Sequence, residues 1–141
     1  MPYSQLADIQ ERIPEDILLQ LTDDADTGSV DEAKVTAAIT RGDSEIDAWC
    51  GGRYSVPFAT VPPIIAELSA DLATYYLYSR RQEIIPESRS DRYKANQALL
   101  KAISAGQVQL PGAASAKTGA TRIEVTSNDR LFNRGSLKGG F

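Results

Sequence analysis

Val35, Ile39, Gly42, Ile46 and Trp49 are spaced by four, three, four and three positions, so one apolar stripe runs in phase through a segment without proline. This is the period of a helix with a single buried face, and it predicts one helix over about 30–50. Gly42 falls on the stripe. It costs roughly 1 kcal/mol relative to alanine in a helix, and its missing side chain permits another helix to approach closely. A second stripe, Ile65, Leu68, Leu72 and Tyr75, flanked by Ile64, Tyr76 and Tyr78, predicts a helix from the VPP at 61–63 to about Gln82. It should be the most buried element. Two long helices of this kind restrict the chain to a mainly α fold, a small bundle of about four helices.

The remaining elements are read around that pair. Leu6, Ile9 and Ile13 give a short helical lead-in over Tyr3 to Ile13, and Pro14 opens a second short helix through Asp16 to Leu21. TDDADTGSVDEAK, residues 22–34, is a polar loop entering a helix, with Ser29 expected as N-cap and Glu32 completing a capping box. Pro86 breaks the chain, Ser88 with Asp91 offers another cap, and a last helix runs through Tyr93, Leu99, Leu100 and Ile103 to Gly106. From Pro111 the texture becomes small and flexible. The expected division is a helical domain over 1–111 and an extended C-terminal arm over 112–141, with TRIEVTS as a possible short strand. Leu131, Phe132, Leu137 and Phe141, interleaved with Arg122, Arg130 and Arg134, read as anchors for another chain's surface.

Composition narrows function by exclusion. The chain of 141 residues suits one domain, has no apolar run near the ~20 residues needed to span a bilayer, and opens without a secretory leader pattern. A cytoplasmic site of synthesis is expected. There is no histidine and one cysteine, Cys50, so the usual zinc, haem and iron ligand sets, histidine triads and internal disulfides are missing. No enzyme activity and no cofactor is expected. Residues 1–111 carry 10 Lys+Arg against 17 Asp+Glu, whereas 112–141 carry 5 against 2. An acidic body is ill suited to gripping nucleic acid, while a basic arm can meet phosphate or dock on an acidic neighbour.

Local candidates for chemistry fare poorly. A calcium loop starting at Asp23 places Gly28 correctly but has Ala25 and Lys34 where ligands belong. CGGRYSVPF, residues 50–58, has neither phosphate-loop spacing nor a preceding strand. It reads as a joint in which Gly51 gives a left-handed helix C-cap, Gly52 frees the turn and Pro57 stiffens the exit. Arg53 and Tyr54 on this corner either pack back on the helix ends or face a partner. Cys50 reads as a small buried residue. The Tyr75, Tyr76 and Tyr78 cluster reads as core and interface. Arg80, Arg81, Arg89 and Arg92 form a corner expected to pair with Glu83, Glu87 and Asp91.

Taken together, "AAITRGDSEIDAWCGGRYSVPF", "VPPII", "LSADLATYYLY" and "RYKANQALLKAISAGQVQL" resemble the Mu-type tailed-phage family of virion neck proteins over residues 3–110, most specifically at Glu45, Ile46, Asp47, Arg53, Tyr54, Pro57, Val61 and Pro62. Gly42 stands where the resemblance leads one to expect alanine. The resemblance implies a head–tail connector, an adaptor or head-completion protein in the virion neck. It would form a twelvefold ring of copies of itself between the portal protein and the next tail or neck protein, with DNA passing through without specific binding. The alternative from a different class is a small helical nucleic-acid-binding or regulatory protein using the basic tail.

Overall fold

The structure, a computed structural model, describes residues 1–81 and 85–116. Among them the chain forms five helices: α1 (Leu6–Gln10), α2 (Glu15–Thr22), α3 (Glu32–Cys50), α4 (Pro63–Arg81) and α5 (Glu87–Ser104). The expected small helical bundle is what is observed. Helices α3, α4 and α5 pack on one another, and α1 and α2 lie across α4 and α3. The central helix is α4, with Ile65, Leu68 and Leu72 buried on one side and Ala70, Ala73, Thr74, Leu77 and Tyr78 on others.

The α3 stripe is buried as predicted at Val35, Ile39, Gly42 and Ile46, but its last member is Cys50, four residues on, and Trp49 is only half-buried. A Cβ added at Gly42 would stand 3.2 Å from Leu72 Cβ and 3.4 Å from the Ser69 carbonyl oxygen, so α3 and α4 touch nearly backbone to backbone there.

Three terminus assignments differ from expectation. The N-cap of α3 is Asp31, whose carboxylate accepts from the N–H groups of Ala33 (3.0 Å) and Lys34 (3.4 Å), and Ser29 stays in the loop. Asp31 wins because its own N–H is held 3.2 Å from the buried Thr22 hydroxyl at the end of α2, which fixes where α3 begins. Helix α5 starts after Pro86, ahead of the Ser88 and Asp91 pair, since the Pro86 carbonyl already accepts the N–H groups of Arg89 (2.9 Å) and Ser90 (3.1 Å). Gly51 is right-handed (φ −61°), so it does not make a left-handed cap. Space is what it provides: a Cβ would lie 2.9 Å from the Asp47 carbonyl oxygen.

Candidate partner interface

After α3 the backbone tightens, with the N–H groups of Arg53 and Tyr54 both donating to the Cys50 carbonyl at 3.0 and 2.9 Å. This aims Tyr54 inward, where it is buried, 6.2 Å centroid to centroid from Phe58, and its hydroxyl accepts the Leu110 N–H at 3.0 Å. Phe58 in turn stacks at a tilt on Tyr3, 5.6 Å away, and the Phe58 N–H donates to the Tyr3 hydroxyl at 3.1 Å. Tyr3 closes the corner by donating its hydroxyl to Asp47 at 2.5 Å and its backbone N–H to Asp43 at 2.9 Å. Burial, with the neighbouring carboxylates second, holds the Tyr3 phenol well above the usual tyrosine range, and burial likewise raises Asp43.

The same corner is where the chain after α5 returns. Ser55 N–H donates to the Ala114 carbonyl at 2.8 Å, Ala116 N–H donates to the Arg53 carbonyl at 3.0 Å, and Tyr54 pairs with Ser115 in an antiparallel bridge. Residues 112–116 are thus tied to the body rather than leaving it at Pro111. Arg53 is exposed, and its guanidinium lies so close over Gly106 (φ +79°) that any Cβ there would meet it at 2.6 Å. Pro57 is exposed, after a cis Val56–Pro57 bond. Of the sequence-derived interface residues, the fold brings Arg53, Tyr54 and Pro57 to one corner. Arg122, Arg130, Leu131, Phe132, Arg134, Leu137 and Phe141, and the TRIEVTS segment, lie outside the described residues.

Removing the Tyr54 hydroxyl tests how firmly this corner holds the following segment. Tyr54→Phe leaves the buried Leu110 N–H without its acceptor, a loss of about 1–3 kcal/mol. The expected result is faster amide exchange at Leu110, Ser55 and Ala116 with little change in α4, and unchanged exchange at those three would contradict the assignment.

The other candidates resolve into structure. Among the described residues the arginines form no ion pair with Glu87 or Asp91, and Glu83 lies outside those residues. Arg80 and Arg81 cap the C-terminal end of α2, donating to the carbonyls of Leu21 (2.7 Å) and Gln20 (3.0 Å), and both meet Asp24. Arg89 donates to the Arg12 carbonyl and lies over the Tyr78 ring, while Arg92 reaches Asp71 at 2.9 Å. The reason is geometric: from the end of α4 and the start of α5, these long side chains meet carbonyls of α2 and the α1–α2 elbow, and the carboxylates of Asp24 and Asp71, before their own neighbours.

Tyr75 and Tyr93 stack at 4.0 Å, and Tyr76 is buried with its hydroxyl on Glu45, an acceptor that also receives Gln97. The loop that mimics a calcium site bonds to itself, Asp23 accepting the N–H groups of Thr27 and Gly28 at 2.8 Å each, which lowers its pKa. Cys50 is buried and its thiol is pushed up to about 11. Among the described residues no group of three or more acidic or thiol side chains is placed to hold a metal ion, and no helix is long and apolar enough to cross a membrane.

What sequence reading missed is the hub at Asp71, largely buried on α4. It accepts from Arg12 at 3.0 Å, Arg92 at 2.9 Å and Asn96 at 3.4 Å, and so joins the α1–α2 elbow, α4 and α5. A single aspartate in LSADLATYY carries no local signal for this. The role of Tyr3 was also missed, although acidic residues at 43 and 47, one helical turn apart, mark a face that needs donors.

The family model described as "Bacteriophage Mu, Gp36" matches residues 3–128. A Mu-like prophage FluMu protein gp36 from Haemophilus influenzae is 29% identical over 108 residues, 77% of this chain and 74% of that protein. The family match therefore runs past the body and into the basic segment.

Proposed function

Since the chain belongs to the bacteriophage Mu Gp36 family, we propose that it is a structural protein of the virion neck, a head–tail connector whose copies form a ring between portal and tail around the DNA channel. The observation that carries this reading is the family match from residue 3 to 128. Physical features accord with it. The body is acidic, its four clustered arginines brace its own helices, and its basic continuation starts from a corner tied down by hydrogen bonds. A closed ring requires two different faces that complement one another, and an acidic body with a basic arm supplies opposite charge for them.

In particles assembled with a chain lacking residues 122–141, electron microscopy is expected to show filled heads without tails, while circular dichroism of the purified truncated chain retains the helical signal. Normal tailed particles would overturn the reading. The nucleic-acid alternative predicts DNA binding that falls steeply with salt, and the engaged arginines lead us to expect none at physiological salt.

A further inference from the structure

A groove of about 380 Å³ opens beside the joint, walled by Tyr3, Thr36, Thr40, Asp43, Asp47 and Pro57. Its two carboxylates accept hydrogen bonds from Tyr3, Asp43 accepts another from the Ser69 hydroxyl and feels the N-terminal ammonium of Met1, which also lines the groove, and neither forms an ion pair among the described residues. The groove is therefore part apolar and part anionic, in a molecule whose residues 117–141 carry five lysines and arginines, two acidic residues and the apolar Leu131, Phe132, Leu137 and Phe141. Direction favours a neighbour's segment. Because Ser115 pairs antiparallel with Tyr54, and Ala116 lies opposite Arg53, the chain at 116 is travelling from Pro57 towards Gly52, away from its own groove. Twenty-five further residues reach up to about 80 Å when extended, enough to cross to an adjacent molecule.

We propose that this groove receives residues 117–141 of a neighbouring copy, basic side chains meeting Asp43 and Asp47 and apolar ones the Tyr3–Pro57 wall. The inference rests on the ring reading above and specifies its subunit contact.

The test uses full-length chains, one carrying Ser44→Cys on the exposed lip of the groove, the other carrying Ser127→Cys or Ser136→Cys, mixed and treated with a bis-maleimide. Native Cys50 is buried and its thiol protonated, so it stays out of the reaction. A covalent pair between the two differently labelled chains is expected, with its yield reduced by high salt. Thr40→Arg, which adds a cation to the groove at an exposed position, should weaken self-association about tenfold without altering thermal unfolding. Assembly without any such cross-link, or cross-linking only when both cysteines are in one chain, overturns the groove assignment and leaves the ring standing. A chain that stays monomeric at all concentrations overturns both.

Discussion

Gly42→Leu is expected to lower stability by about 3 kcal/mol or more, read as a shifted urea midpoint with unchanged slope. The reason lies in the α3–α4 crossing. A Cβ at position 42 would already stand 3.2 Å from Leu72 Cβ, 3.4 Å from the Ser69 carbonyl oxygen and 3.6 Å from the Ala73 nitrogen, two of them backbone atoms that cannot turn aside. Three further carbons must push the helices apart. Doing so also stretches the bond from the Ser69 hydroxyl to Asp43, 2.5 Å long, and with it the hold of Ser4 and Tyr3 on the same corner. Gly42→Ala behaves differently: alanine's helix preference, roughly 1 kcal/mol, opposes a contact that must give by a few tenths of an ångström, so a net change within about 1 kcal/mol is expected. A leucine variant as stable as the parent would refute the close crossing.

Asp71→Ala is the second large effect. Asp71 faces Arg12, whose side chain is 15% exposed and also bonds the Asp8 carbonyl and Glu67. Removing the carboxylate leaves a nearly buried guanidinium with only its rim partners, a situation that typically costs about 3–5 kcal/mol. Because Arg92 is mostly exposed and recovers water, the lower end is expected. Arg92→Ala should therefore cost less than about 1 kcal/mol. Equal losses for the two variants in thermal unfolding would show that Arg12 is not the partner that matters. The loss should be local first, with the α1–α2 elbow exchanging its amides before α3 does.

Much of the architecture was legible because helical burial repeats along the chain. Val35, Ile39, Gly42 and Ile46, and Ile65, Leu68 and Leu72, sit where their spacing placed them, and Gly42 has the role its position on the stripe suggested. Helix starts were less legible, since several residues near each start can cap and tertiary contacts choose between them. Asp31 prevailed over Ser29 through its link to Thr22. The partners of the arginines were illegible for the same reason: Arg80 and Asp24 are 56 positions apart, and only the packing of α2 across α4 brings them together. Of the candidate interface, the joint was visible as a cluster of glycine, arginine, tyrosine and proline. Its most consequential property, the return of residues 113–116 to pair with 53–55, left no mark in the sequence, because a two-residue bridge needs no alternating pattern.

That bridge also has a mechanical meaning. A pull on Ala116 along the direction in which residues 114–116 run would load Ser55–Ala114 and Ala116–Arg53 together, in shear, so both bonds must yield at once. A sideways tug would open them one after the other. The corner between α3 and α4 is thus a direction-dependent fastener: tension along the segment passes into the two longest helices, and tension across it peels the segment free.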